Sequence, residues 1–431
     1  FYDLVVEVAL IRPGPIQGGS VHPYIRRRNG EEAVTYLHPL LEPALSKTLG
    51  VPLFQEQLMQ MAIDVGGFSS TEADELRQAM GSKRSQERME RLRGRLYEGM
   101  SRRGIDRKVS DQIWEKMVAF ANYGFPESHS VSFAHLVYAS SWIKYHYPAA
   151  FCAALLNSQP MGFYSSHSLV QDARRHGVKV LTPDLNVSAD KAILETSYKS
   201  TGDVAVRLGF SSVRGISAEL AFEIAAAGPY EDLEQLSRST SVSQKQLEAL
   251  ATSGAFDCFG IGRREALWAV GATSQSRSGR LRGIVTGVSA PTLPGMSLQD
   301  EAISDLWATG IAPDGHPTRF IRKELKEEGV MTAADLLNCE MGKVKVAGVV
   351  THRQRPATAS DTVFVNLEDE TGLINVIVSS GCWLRFRAVV RSESALRVHG
   401  RLERHGRVTN VIAEKIEKLE IGSTVSSRDF R

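Results

Sequence analysis

The stretch Val363-Phe364-Val365-Asn366-Leu367-Glu368-Asp369-Glu370-Thr371-Gly372-Leu373-Ile374-Asn375-Val376-Ile377-Val378 decides the fold of the last quarter of the chain. Val363 to Leu367 and Ile374 to Val378 are β-type runs, and Leu367 to Gly372 is a tight polar turn between them. Working outward, similar short runs are Val344 to Val350 upstream and Ala395 to Gly400 and Val408 to Ile412 downstream. Five strands packed into about seventy residues suggest a small closed barrel.

The OB-fold is the natural five-stranded candidate. Phe364, Trp383 and Phe386 stand in this region with Arg385, Arg387 and Arg391. Such aromatics and guanidinium groups suit base stacking and phosphate attraction. They also suit a core, and core is the favoured reading for Phe364. The run Glu368-Asp369-Glu370 is the densest acidic cluster, and it reads as a solvated barrel turn rather than a metal site.

Upstream, the pattern is helical. Asp3 to Ile11 is an apolar run that Arg12-Pro13-Gly14-Pro15 must end, since neither proline donates a backbone hydrogen bond. Ser69 and Glu72 have capping-box spacing, opening a helix through Ala73, Leu76 and Met80. Ser110 opens another, with Ile113, Met117 and Phe120 on one face. A long helical pattern from about Ser132 to Leu156 carries Phe133, Tyr138, Trp142, Tyr145, Tyr147 and Phe151, which reads as a buried helix. Between 165 and 270 the helices shorten. There Val213-Arg214-Gly215-Ile216-Ser217, ahead of Ala218 to Ala227, is similar to the hairpin of a helix-hairpin-helix element, which offers backbone N–H groups to a DNA phosphate. Gly271 to Gly295 reads as a linker, and no internal repeat is apparent.

The expected architecture is therefore multidomain α+β: a mostly α-helical region, then a C-terminal all-β OB-fold barrel. The expected boundaries are 1–164, a helix-hairpin-helix region at 165–270, a linker and small helical segment at 271–340, the barrel at 341–420 and a tail at 421–431.

Composition narrows the function. The 431 residues are 42% apolar and 23% charged, with a formal net charge of +2, as in an ordinary protein that can bury a core. That near-zero total hides two basic zones. Arg77 to Lys108 holds eleven Lys or Arg against four Asp or Glu, and Lys343 to Lys418 holds thirteen against eight. Such zones concentrate counter-charge on a phosphate backbone, or they are solvated helix faces. No apolar stretch approaches a membrane span, and no basic-then-apolar leader opens the chain. The four cysteines are scattered without a Cys-x-x-Cys pair, so a cytoplasmic protein without structural zinc is expected.

Enzyme motifs are missing. The chain has no phosphate loop of the Gly-x-x-x-x-Gly-Lys type, no His-Glu-x-x-His and no Gly-x-Ser-x-Gly. It has no Asp-x-Asp pair, a common way to place two carboxylates on a catalytic metal pair, and no Lys-x-Asp-Gly nucleophile site of a DNA ligase.

Ordered motifs in the first 160 residues go further. Ala9-Leu10-Ile11-Arg12-Pro13-Gly14-Pro15, His38-Pro39-Leu40-Leu41-Glu42 and Gly50-Val51-Pro52-Leu53-Phe54-Gln55-Glu56-Gln57 come first. Glu72-Ala73-Asp74-Glu75-Leu76-Arg77-Gln78-Ala79-Met80-Gly81 and Tyr123-Gly124-Phe125-Pro126-Glu127-Ser128-His129-Ser130 follow in order. Together they resemble the fingers of bacterial C-family DNA polymerases. Ile11, the Pro-Glu-Ser-His-Ser wording and Leu156-Asn157-Ser158-Gln159-Pro160-Met161-Gly162-Phe163-Tyr164 resemble the error-prone branch.

This resemblance implies an error-prone DNA-directed DNA polymerase acting in damage-induced mutagenesis and translesion synthesis. It also implies Mg2+ held by palm aspartates N-terminal to the fingers. The first residue is Phe rather than Met, so a fragment without its palm, inactive alone, is expected. Arg77, Lys83 and Arg84 match the basic stretch facing the incoming triphosphate. Arg12, Ser128, His129 and Ser130 are further candidates near nucleotide or template. Candidate DNA contacts are Arg214, Gly215 and Ile216 in the hairpin and Trp383, Arg385 and Arg387 in the barrel. Implied partners are primer-template DNA, deoxynucleoside triphosphates and the sliding clamp, the last through an inactive Y-family partner. The alternative is a non-catalytic DNA-binding protein built from helix-hairpin-helix and OB modules.

Overall fold

The structure is a computed structural model and describes residues 1–11, 21–80, 86–121, 125–162, 164–273, 290–356, 361–405, 408–421 and 428–430. The chain forms two compact units, Phe1–Trp142 and Ile143–Arg431.

The first unit is helical. Its opening apolar run forms the helix Tyr2–Leu10, which stops before Arg12-Pro13 as the missing proline N–H requires. Ser69 and Glu72 form the expected reciprocal cap at the start of Ser70–Met80. The Glu72 carboxylate accepts the Ser69 N–H at 2.8 Å, and Ser69 Oγ accepts the Glu72 N–H at 3.2 Å. The helix expected from Ser110 begins earlier, as Arg107–Ala121, because the Asp106 carboxylate accepts the Lys108 N–H and supplies the cap. Leu58, Met61, Val65, Leu76, Leu96, Met100, Ile113 and Met117 meet in one core. Gln57 explains why its stretch reads as it does. Fully enclosed, it accepts the N–H groups of Leu53 and Phe54 and donates to the Ala44 carbonyl and Thr48 Oγ1, so all its capacity is used. Where Gln55–Gly66 crosses Gln86–Arg102, a Cβ at Gly99 would lie 1.8 Å from the Gly66 carbonyl oxygen, so only glycine permits the crossing.

The long aromatic pattern departs from expectation in two ways. Pro148 cannot continue the preceding ladder, so the pattern divides into Glu127–His146 and Pro148–Asn157. The aromatics are also not buried. Only Ser130 and Ala134 of Glu127–His146 are enclosed, while Phe133, Tyr138, Trp142 and Tyr145 are exposed.

The second unit opens with a small sheet that the sequence reading lacks. Strands β1 (Val180–Leu181), β2 (Ile193–Thr196) and β3 (Val204–Arg207) run in the order β1-β3-β2. They pack with the helices Pro148–Asn157 and Ser166–Arg175 around Cys152, Val170, Val206 and Leu208. These strands are only two to four residues long, too short for a periodic signal. A helical cluster follows around Phe210, Ile216, Leu220, Ile224, Leu247, Leu250 and Phe256.

The barrel is built from β4 (Lys343–Gln354), β5 (Val363–Glu368), β6 (Leu373–Val378), β7 (Ala395–His405) and β8 (Val408–Lys418). Neighbours run β5-β6-β8-β7-β4, and β4 pairs back onto β5 to close the cylinder. All pairs are antiparallel except β6 with β8. Each expected run is a strand of this barrel. A short strand β9 (Arg428–Phe430) adds parallel to the end of β4. Between β6 and β7 lies a helix, Ser380–Ser392, in the place of a loop.

Two expectations about the barrel are corrected. Phe364 is not core. It lies on the outer side of β5 and is 36% exposed, while Val363, Val365 and Leu367 point inward. The acidic turn is not solvated, with Glu368 at 1% and Asp369 at 0% exposure, because residues from distant helices close over it.

Candidate nucleic-acid interface

Arg12, Lys83 and Arg84 lie outside the described residues. Arg77 sits on the exposed face of Ser70–Met80 and donates to the Asp74 carboxylate at 2.9 Å. Its guanidinium, with the amide of Gln78, holds the Asp74 carboxyl below the usual range. The surrounding basic zone is similarly laced with carboxylates. Arg91 meets Glu75, Arg95 meets Glu72, and Arg107 meets Asp111, all acids outside the Arg77–Lys108 window. Ser128 and His129 are exposed at the start of Glu127–His146, where the His129 ring contacts Phe125 and Phe133 with centroids 5.2 and 4.6 Å away. Ser130 is placed differently: it is fully buried and donates to the Val5 carbonyl at 2.5 Å, an anchoring role between two helices.

In the second unit β3 leads through a short 3-10 turn, Phe210–Ser212, into the expected hairpin. Gly215 has φ +78°, a left-handed conformation that only glycine takes without strain. Ser217 caps the helix Ala218–Ala227, its Oγ accepting the Leu220 N–H at 3.2 Å. Ile216 is buried in the core, so its contribution to DNA is through backbone rather than side chain. The exposed Arg214 is steadied from behind: its N–H donates to the Ala308 carbonyl at 2.7 Å, and its guanidinium lies 5.1 Å from the Trp307 ring.

The structure also reveals a second hairpin of the same form. Gly260-Ile261-Gly262 precedes the helix Arg263–Thr273, with Gly260 at φ +69°. Ala221 stands four residues after Ser217, and Ala266 four after Gly262. Both alanines are buried, and Ile216 and Ile261 pack on one core. The signal was present as Gly-Ile-(Ser or Gly)-x-x-x-Ala occurring twice, so an internal repeat does exist. Each hairpin opens a helix, and the backbone N–H groups of a helix N-terminus favour phosphate; at the second, the Glu265 carboxylate accepts the Gly262 N–H at 3.0 Å.

On the barrel, strand register lines up two outward rows. His352, Asn366, Asn375 and Asn410 are successive neighbours across β4, β5, β6 and β8. Beside them run Gln354, Phe364, Ile377 and Ile412. An aromatic ring thus adjoins a ladder of amides that both donate and accept. Sequence reasoning missed this face because the three asparagines come from separate runs. Trp383, Arg385 and Arg387 are not in strands but on the helix Ser380–Ser392. Trp383 is half-buried against the core, with the Arg355 guanidinium 5.4 Å from its ring, while Arg385 and Arg387 face solvent.

Among the described residues no group of three or more His, Cys, Asp or Glu could hold a metal ion. The buried carboxylates are occupied by protein donors, so this set does not fit a catalytic metal pair. Among the described residues no helix is long and apolar enough to cross a membrane.

Comparison with known proteins matches this order of modules. Residues 1–104 match the model of the bacterial DNA polymerase III alpha subunit finger domain, 177–266 a helix-hairpin-helix motif, and 344–419 an OB-fold nucleic acid binding domain. All of the chain aligns at 57% identity with 38% of an error-prone DNA polymerase of Nocardia farcinica. Over its whole length the chain is similar to part of the bacterial error-prone DNA polymerases. A similar relative, the error-prone DNA polymerase of Mycobacterium tuberculosis, is 55% identical over the whole chain and 39% of its own length. The chain thus spans about two fifths of the curated relatives it matches. Residues 1–104 of the helical unit match the finger domain, the paired hairpins lie within the helix-hairpin-helix match and the closed cylinder within the OB-fold match.

Proposed function

We propose that this stretch is the nucleotide- and DNA-holding portion of an error-prone DNA-directed DNA polymerase, a nucleotidyltransferase acting in damage-induced mutagenesis and translesion synthesis. The observation that carries the proposal is the order of modules: fingers-type helices, two glycine hairpins that each open a helix, and a barrel with an outward aromatic and amide face. In this reading Arg77, with Lys83 and Arg84 beside it in sequence, offsets the charge of the incoming triphosphate. Arg12, Ser128 and His129 stand near nucleotide or template. Arg214, Gly215 and Ile216 hold duplex phosphates, chiefly through backbone. Phe364 and Trp383 stack unpaired bases, and Arg385 and Arg387 attract their phosphates.

The two-metal chemistry, with Mg2+, belongs to carboxylates outside this chain, so the stretch alone holds DNA without extending it. The intact enzyme works in the cytoplasm on primer-template DNA and reaches the sliding clamp through a Y-family partner. The test compares this chain with a longer polymerase containing it, on primed template with Mg2+ and nucleotides. The longer protein extends, and Arg77→Ala raises its KM for nucleotide. Extension by the present chain alone refutes the proposal. Failure of the longer protein to extend leaves the non-catalytic DNA-binding reading.

A further inference from the structure

A pocket of about 60 Å³ opens in the first unit, where Arg27 of the helix Val21–Arg28 and Lys116 of the helix Arg107–Ala121 are among the lining residues. That is room for several water molecules at about 10–15 Å³ each, so a small group fits and a whole nucleotide is too large. Leu41, Leu45, Pro52 and Met61 give it a buried apolar floor. None of its lining residues is a candidate nucleotide or DNA contact.

The two cations of this pocket are held differently. Arg27 is clamped: Nε donates to Glu32 at 3.0 Å, Nη1 to the Leu49 and Thr35 carbonyls at 2.7 and 3.3 Å, and Nη2 to Thr35 Oγ1 at 3.3 Å. Four of its five N–H groups are thereby used, and one on Nη2 stays open among the described residues. Gly50 completes the clamp, since a Cβ there would lie 2.7 Å from Arg27 Nη1 and 2.6 Å from the Thr35 carbonyl oxygen. Glu32 does not balance Arg27 by itself, because it also pairs with Arg26 at 2.9 Å. Lys116 makes no hydrogen bond or ion pair among the described residues. Burial, and then the nearby Arg27, hold its ammonium below the usual lysine value. A partly desolvated cation that faces a second cation and has no acid of its own favours an anion between them.

We infer that this pocket binds a small organic oxyanion, a phosphate or carboxylate carried on a compact apolar body. The oxyanion lies between the Lys116 ammonium and the open Arg27 N–H, where charge-assisted bonds fix it. The apolar body enters over Leu41, Leu45 and Met61, and its removal from water supplies the rest of the affinity. Bound there, the ligand ties two helices of the unit together and stabilises the folded form by mass action. The inference goes beyond the polymerase reading and does not depend on it, because it uses no residue of the triphosphate grip.

Isothermal titration of this chain with phenyl phosphate, inorganic phosphate and phenol tests the site. Phenyl phosphate is expected to bind at least about tenfold more tightly than either of the others, because only it fills both halves of the pocket. Lys116→Met keeps an unbranched stem without the charge and is expected to weaken phenyl phosphate at least about tenfold, while Lys116→Arg stays within about threefold of wild type. The Met61 methyl resonance, followed by NMR in the wild-type chain, is expected to shift with phenyl phosphate and not with inorganic phosphate. Equal affinity for phenyl phosphate and inorganic phosphate overturns the proposal, as does phenyl phosphate binding that leaves the Met61 methyl unmoved or survives Lys116→Met. Displacement of phenyl phosphate by a deoxynucleoside triphosphate also overturns it, by assigning the anion to the nucleotide site.

Discussion

Asp369→Asn is a nearly isosteric change at a fully buried site, and the geometry states its cost. One carboxylate oxygen accepts the Thr371 N–H and O–H at 2.7 Å each and the Gly372 N–H at 2.9 Å. The other accepts the Ala333 N–H at 2.7 Å and lies 3.6 Å from Arg322. An asparagine must put its NH2 at one of these positions, and both are surrounded by donors. The cheaper choice opposes Ala333 and Arg322, losing one charge-assisted bond and stranding a buried N–H, about 1.5–3 kcal/mol for each effect. Burial pushes the Asp369 carboxyl up, with the Thr371 and Ala333 bonds pulling the other way, so some of that cost is already present in the wild type. The low end, about 3 kcal/mol, is therefore expected. At about 1.4 kcal/mol per decade, that is roughly a hundredfold faster native-state hydrogen exchange in the barrel amides. The amides of β5 and β6 are the ones to follow by mass spectrometry. Protection within about threefold of wild type would refute the argument that these donors are satisfied by the carboxylate.

Other perturbations separate the surfaces. Gly215→Ala and Gly260→Ala meet no atom within 4 Å, so their effect comes only from the left-handed φ, at roughly 1–2 kcal/mol each. Both should weaken duplex binding equally in anisotropy assays, and an unchanged Gly260→Ala affinity removes the second hairpin from the interface. Phe364→Ala should cost about 1–3 kcal/mol in single-strand affinity with little change in thermal stability, because the ring is outside the core. Burial holds His167 down to about 4 and His316 well below the usual value, so both stay neutral when folded and take up protons on unfolding below pH ~6.5. Stability should fall as pH drops from about 6.5 to 5.5, by roughly 1 kcal/mol per histidine. Asp305, pushed up to about 7 by burial, acts in the opposite sense within this window and offsets about one histidine, and Glu368 and Asp369, both raised by burial, act in that sense too. A wild-type unfolding midpoint whose pH slope matches that of His167→Gln counts against the buried neutral ring.

How far the sequence can be read depends on the range of the forces involved. The strands of the barrel were legible because alternation places Val363, Val365 and Leu367 on one side whatever the rest of the chain does. The cap between Ser69 and Glu72 was legible because its partners lie three residues apart. The second hairpin carries the same local signal as the first, but a short glycine pattern means little until both copies are seen on one core. Ser130 looks like a nucleotide candidate in sequence because nothing nearby announces Val5, 125 residues away.

The sequence by itself determined the order of modules, the barrel strands and the motifs that resemble C-family polymerases, because periodicity, capping and turn chemistry act over a few residues. Only the tertiary structure decided that an acidic run is buried beneath distant helices and that Phe364 faces outward beside three asparagines. It also placed Trp383, Arg385 and Arg387 on a helix and left the aromatics of Glu127–His146 exposed. The Glu368 carboxylate is enclosed by an arginine 193 positions away. Desolvation and ion pairing depend on what folds over a group, and no local pattern contains that information.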